Sequence, residues 1–359
     1  MTDVFVVSTA DKTRWQKQIE CLNEVDIYFL HGYARAFEAA TGNKHFLFCF
    51  KKEDFCIIEP FCLRELDEFK STYTNRYGEL LEWNWQDSLS PYGYCGPVCS
   101  DGHMTEALFD EYLSALKDFF KREHIVSHFI RFNPLLFNYK DYFGKYLDYV
   151  HNDKVVVVNL NQGIEAVRAG YRSRNIKKAN RADIKYRICH EVEELSSALP
   201  DFKLLYTDTM DRVKANQFYH FSEEFFRVLS LELYPHCKYF MLYHNEVAVA
   251  GIIVLVYGRR IHYFLSASTA YGQTMRANDF LLDKIMQWGC QNGYDCFFLG
   301  GGHPDRPNLL EYKKRFSNTL IDCFKGGVIT DSQRYDALCS LCNTETVVQY
   351  FPLYRAPLQ

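Results

Sequence analysis

Three consecutive glycines, Gly300-Gly301-Gly302, stand shortly before the run Tyr312-Lys313-Lys314-Arg315-Phe316. Adjacent glycines let a ligand approach the backbone and leave N–H groups facing an anion or an oxyanion. A lysine near such a loop can stabilise the negative charge that develops on a carbonyl oxygen under attack. The pair suits acyl transfer to an amine, with Lys313 and the glycine-loop amides as the groups that would help the carbonyl. The same reaction needs a group to take the amine's proton. Asp87, His303 and Glu311 are candidates that the sequence does not separate. Taken singly, a glycine turn and a solvated helical lysine explain these features as well.

Two further segments could hold a substrate. Between Glu165 and Arg187 the basic residues Arg168, Arg172, Arg174, Lys177, Lys178, Arg181, Lys185 and Arg187 meet only two acidic ones. Arginine clamps phosphate with paired hydrogen bonds and lysine adds a mobile charge, so the segment suits a pyrophosphate or an RNA backbone. A solvated helix face is the alternative. The loop from Asp87 to Pro97 packs two prolines, two glycines and two tyrosines together. Its fixed and free φ angles can present Tyr92 and Tyr94 to a sugar or a base. The alternative is a tight turn whose tyrosines pack inward.

The elements that must position these residues follow from periodicity. His45–Phe50 and Phe55–Leu63 read as a hairpin around the polar turn Lys51–Asp54. Met104–Arg122 is predicted to be a helix, with Leu108, Tyr112, Leu116 and Phe119 at helical spacing, and Ile125–Phe132 a strand. The same order returns later: strands Lys238–Tyr243, Val247–Tyr257 and Ile261–Ser266, a helix Met275–Gln291 stopped by Gly293, and a strand Tyr294–Leu299. Two similar units suggest a tandem duplication. The boundary is expected between Asn133 and Lys154, before the apolar strand Val155–Leu160, with a ligand cleft between two closely packed domains.

Composition bounds the rest. A chain of 359 residues exceeds what one hydrophobic core usually supports, so two domains are the natural division. The longest apolar run, Val247–Tyr257, is too short for the roughly 20 residues of a membrane span. No signal-peptide pattern opens the chain, and a cytoplasmic location is expected. The thirteen cysteines lie mostly in apolar strand-like runs, as buried thiols do, and neither Cys339/Cys342 nor Cys95/Cys99 has a second pair at zinc-site spacing, so no metal is assigned. A net charge of -4 argues against a protein that coats nucleic acid, DNA included, and leaves room for a local basic surface.

In this order and spacing the motifs resemble the Fem-type family of peptidoglycan interpeptide-bridge aminoacyltransferases and the related acetyltransferase-like proteins of envelope polysaccharide clusters. The marks are Ser90–Pro97, Arg172–Ala179, Asn278–Leu282, Leu299–Gly302 and Tyr312–Phe316. The resemblance implies an α/β fold of mixed sheets in tandem GNAT-like (acyl-CoA N-acyltransferase-like) domains. Residues 1–150 would be the acceptor side, and 151–359 the donor side with the catalytic lysine. The lysine of the family's aromatic-Lys-x-x-Phe motif falls on Lys313, with Tyr312 beside it and Asp87 as a further catalytic candidate. Tyr92, Tyr94, Arg172, Arg174, Lys177, Asn278 and Gly300–Gly302 would bind substrate.

Two departures bear on the acceptor. Tyr33–Phe37 offers only Arg35 where members reading nucleotide-linked muramyl peptides use a lysine near a tryptophan, and the long helical hairpin of some bridge-forming members has no counterpart. A third bears on the donor. Coenzyme A-dependent GNAT enzymes cradle pyrophosphate with Arg/Gln-x-x-Gly-x-Gly/Ala, whereas Ser268–Asn278 does not reproduce that spacing. The expectation is therefore a transferase that moves an acyl or aminoacyl group onto an amine of a cell-envelope precursor, an amino sugar, a peptidoglycan-type peptide or a lipid-linked form. No tightly bound cofactor is expected, and the donor would be aminoacyl-tRNA or acyl-CoA. The alternatives are an acyl-CoA-dependent N-acyltransferase of polysaccharide or lipid modification, and a noncatalytic module that binds a nucleotide-sugar or RNA.

Overall fold

The computed structural model describes residues 2–80, 82–100, 103–136, 140–171, 183–302, 308–342 and 350–356. The chain forms two compact units: Met1–Glu38, Gly42–Asp153 and Cys323–Gln359 make the first, and Ala39–Thr41 with Lys154–Asp322 the second.

The first unit begins with strand β1 (Thr2–Ser8) and helices α1 (Lys12–Ile19) and α2 (His31–Thr41). The expected hairpin follows as β2 (His45–Lys52) and β3 (Phe55–Glu65), paired from His45↔Cys62 to Lys52↔Phe55. Its turn is thus only Glu53-Asp54, and Glu53 takes the positive φ of 55° that a tight hairpin turn requires. Helix α3 (Asp67–Tyr77), the short strands β4 (Gln86–Leu89) and β5 (Val98–Cys99), helix α4 (Glu106–Arg122), strand β6 (Ile125–Arg131) and the start of β7 (Tyr149–Asn159) come next, and from Lys154 onward β7 belongs to the second unit. Helix α4 starts where the Thr105 side chain accepts the Leu108 N–H. Its apolar stripe, Phe109, Tyr112, Leu113, Leu116 and Phe120, is buried against Phe48, Phe50, Ile57 and Phe61 of the hairpin.

The second unit adds α5 (Ile164–Ala169), β8 (Ile184–Cys189), α6 (Val192–Arg212), α7 (Glu223–Glu232), β9 (Cys237–His244), β10 (Val247–Tyr257), β11 (Arg260–Ser268), α8 (Ala270–Thr274), α9 (Ala277–Gln291), β12 (Cys296–Gly300) and α10 (Asn308–Lys314). Its strands lie in the order β7-β12-β11-β10-β9-β8. Val247–Tyr257 reads as a continuous apolar run because β10 is covered on both faces. Ala250 through Leu255 has almost no exposed surface, and α6 and α9 both pack on the strand. Helix α9 ends near Gly293, whose φ of 72° is the left-handed stop that the sequence predicts.

Both units repeat one plan. An antiparallel run ends in a strand, a helix crosses, and the next strand returns parallel: β4, α4, β6 in the first and β11, α9, β12 in the second. This is the expected α/β architecture of two similar units.

The division at 150/151, with everything after it in one domain, needs correction. Strand β13 (Leu320–Ile329) pairs antiparallel with β6 from Lys325↔Arg131 to Ile329↔Ser127. Helix α11 (Ser332–Leu341) then buries Tyr335 and Leu338 beside Leu66, Trp85 and Val126, with Tyr354 in the same cluster. The last segment therefore completes the first unit's core. Among the described residues no helix is long and apolar enough to cross a membrane.

Candidate functional site

In the second unit β11 and β12 pair at only three positions, from Arg260↔Cys296 to His262↔Phe298. Past these pairs each strand carries an irregularity. Against β10, the partner of Ile253 is Leu265 and that of Val254 is Tyr263, so Phe264 is unmatched; against β7, Leu299 is skipped between Phe298 and Gly300. Such bulges end pairing and re-aim side chains. The two strands separate there, and the glycine triplet leaves the end of β12. Gly300 has φ 75°, which favours glycine, and a Cβ on Gly301 would come within 3.3 Å of the Lys154 carbonyl oxygen.

Helix α10 brings Lys313 to this gap. The side chain is only 8% exposed, and its Nζ donates to the Gly301 carbonyl oxygen at 2.6 Å while lying 5.5 Å from the centroid of the Tyr263 ring. Burial pushes the ammonium down from 10.5 to about 8. A lysine held this way is charged near neutral pH, poorly solvated and fixed in place. Those are the properties of a group that stabilises charge developing on a carbonyl oxygen.

Next to it, the Tyr312 hydroxyl donates to Asp279 Oδ1 at 2.9 Å. Burial first, and the Asp279 carboxylate after it, raise the phenol well above its ordinary value, so it remains a proton donor. Tyr312 and Asp279 line a cleft of about 190 Å3 together with Ser268, Gln273, Arg276, Ala277 and Asn278. The cleft opens at the start of α9, whose first turn has no side-chain cap. Arg276 stands at the N-cap position with φ 59°, a conformation costly for a residue with a Cβ. The Asn278 Oδ1 atom is buried without a hydrogen-bond partner.

The structure thus gathers Lys313, Tyr312, Asn278 and Gly300–Gly302 in one unit. Arg172, Arg174 and Lys177, like His303, lie outside the described residues. Of the basic segment's other members, Arg168 grips Asp283 of α9 with two hydrogen bonds of 2.8 Å, and Lys185 and Arg187 pair with Glu246. These are ties within the unit.

Asp87 needs correction as a candidate base. It is fully buried in the first unit, where Arg64 holds it at 2.8 and 3.1 Å, Arg355 at 2.5 Å and Tyr354 at 3.2 Å. A buried carboxylate shared by two guanidiniums is a structural anchor. Glu311 pairs with Lys314 on the exposed side of α10. The tyrosine loop packs inward in part. Tyr92 stacks on Phe37, Tyr94 meets Tyr28 edge-on, and Gly93 at φ 104° leaves no room for a Cβ against the Tyr28 ring. Both tyrosines keep some exposed surface.

Sequence reasoning missed Tyr263, Ser266, Asp279 and Arg276. The only signal was that Ser268–Asn278 occupies the place of a donor loop between a strand and a helix.

Residues 166–314 match the acetyltransferase (GNAT) domain family. No curated protein matches the chain in sequence. Among solved structures, FemX superposes with a TM-score of 0.63 over 93% of this chain and 99% of its own at 10% identity. A tandem GNAT protein from the clavulanic acid biosynthesis pathway gives 0.52 over 92% and 99% at 6% identity. The L-PGS from Bacillus licheniformis gives 0.50 over 86% and 90% at 11% identity. The chain has the Fem-like tandem GNAT fold.

Proposed function

We propose that this chain transfers an acyl or aminoacyl group to an amine of a cell-envelope precursor, with Lys313 acting on the donor carbonyl. The observation that carries the reading is the buried Lys313 ammonium held on the Gly301 carbonyl, where β11 and β12 part. Attack by the amine makes the donor carbonyl tetrahedral and negative, and a cation fixed in a poorly solvated site stabilises that state most. Tyr312, kept protonated by its surroundings, supplies a proton to the departing oxygen or sulfur, and the proton that the attacking amine gives up restores the phenol. Arg276, Asn278 and the uncapped turn of α9 receive the polar, phosphate-bearing part of the donor. The likeness in fold to FemX and to the L-PGS supports an envelope acceptor.

A second reading, transfer from acyl-CoA, is favoured by the match of residues 166–314 to the acetyltransferase domain and by the cleft at the start of α9. Against it stands Arg276 where a pyrophosphate-cradling loop would carry a glycine. The deciding experiment incubates the purified protein with an envelope-precursor extract and either a charged tRNA pool or acyl-CoA mixtures, and weighs the products. An amino-acid mass added only with tRNA supports the first reading, and an acyl mass added only from CoA supports the second. No product from either, with RNA or nucleotide-sugar bound, would leave a binding module.

A further inference from the structure

Residues three apart on a regular strand point to opposite faces. On β11 the unmatched Phe264 resets that alternation, so Tyr263 and Ser266 fall on one face and the Tyr263 hydroxyl donates to Ser266 Oγ. The ring is fixed by its strand at one end and by its hydroxyl at the other. Its face lies under the Lys313 ammonium, within the roughly 6 Å at which an aromatic face attracts a cation. An ammonium has three N–H donors, and the Gly301 carbonyl takes one of them from the β12 side of the gap.

Resting on the reading of Lys313 as the group that acts on the donor carbonyl, we propose that Tyr263 is a positioning residue of this site: its ring holds the lysine ammonium across the gap between β11 and β12, and Ser266 holds the ring. The arrangement divides the work between two strands. β12 supplies a carbonyl acceptor and β11 a π face, leaving the remaining ammonium hydrogens for substrate. Among the described residues the titratable groups near the lysine are Tyr263 on β11 and Tyr312 on its own helix, with Asp279 of α9 and Arg315 set against Tyr312. Burial is what moves Lys313 from its ordinary value, so the ring opposes a shift that none of these charges causes.

The test follows the Lys313 side chain by NMR in protein labelled with 13C-lysine, its signal assigned by its loss in Lys313→Met. The titration runs across the midpoint of about 8. In the native protein the ε-methylene protons are expected upfield, shielded by the ring. Tyr263→Phe keeps the π face but loses the hydroxyl bond to Ser266, so it should hold the midpoint near the native value while broadening or reducing the displacement as Ser266→Ala does. Tyr263→Leu should lose the displacement and lower the midpoint by about half a unit. Ser266→Ala should broaden or reduce the displacement while the fold, followed by circular dichroism, is unchanged.

Unshielded ε protons in the native protein would overturn the proposal, and that result needs no variant to fold. So would a Tyr263→Leu protein whose lysine titrates and resonates as in the native one. None of these readouts requires turnover, so they stand apart from the activity reading, which fails if Lys313→Met still transfers at the native rate.

Discussion

The Gly301 carbonyl oxygen accepts from Lys313 Nζ at 2.6 Å, so the loop that leaves β12 and the helix that follows it are joined at the site itself. Lys313→Met keeps the length and the apolar contacts of the stem and removes the cation. Its expected effect is a loss of about 10²–10³ in the rate of transfer with donor affinity changed little, because the missing interaction belongs to the transition state. Single-turnover rates and equilibrium binding of the same donor check the split.

The lysine also gives the protein a pH signature in two opposed directions. Its folded midpoint of about 8 lies below the ordinary 10.5, so between these values the unfolded chain binds a proton that the folded chain has lost. Stability therefore rises with pH across that window, by about 3 kcal/mol if nothing else titrates, and below about pH 8 the burial cost is borne in full. Transfer needs the ammonium and should fall over the same window, with its half-maximum near pH 8. Urea unfolding of the native and Lys313→Met proteins at neutral pH and at about pH 10 isolates the lysine's share: the variant is more stable at neutral pH, and the difference shrinks at the higher pH.

What the sequence made legible were features written within a few residues of one another. The hairpin, α4 and α9 show in local periodicity, and the glycine triplet and Lys313 show in their spacing. Features made by distant residues were hidden. Asp87 looks like a spare carboxylate in a loop because its partners stand 23 positions before it at Arg64 and 268 after it at Arg355. The return of β13 to β6 is invisible for the same reason, since a strand's sequence does not name its partner. Tyr263 and Ser266 were hidden by the bulge: strict alternation puts them on opposite faces, and nothing in the run Ile261–Ser268 marks Phe264 as the residue that breaks it.

The anchoring of Asp87 leads to a test that separates a base from a tie. Arg355→Ala leaves Arg64 in place, so the carboxylate keeps one cation, and a cost of about 2 kcal/mol is expected. Asp87→Asn leaves two guanidiniums converging on a neutral amide and should cost about 3–5 kcal/mol. Guanidinium unfolding measures both. At a temperature where Asp87→Asn remains folded its transfer rate should be near native. A stable variant that had lost transfer would restore Asp87 as the base.

Tyr312→Phe bears on the departing group and, through it, on the donor. The phenol is buried, stays protonated and donates to Asp279 at 2.9 Å, so in the native cleft it is placed to give a proton as a bond breaks. The help such a proton gives grows with the basicity of what leaves. A ribose oxygen departing from an aminoacyl ester is far more basic than a thiolate departing from an acyl thioester. The variant should therefore slow transfer from an aminoacyl ester by about 10²-fold and from a thioester by less than about 10-fold. Single-turnover measurements with each donor the native protein accepts give the two ratios. Equal ratios would mean that Tyr312 only ties α10 to Asp279 of α9, and unequal ones that its proton moves with the leaving group.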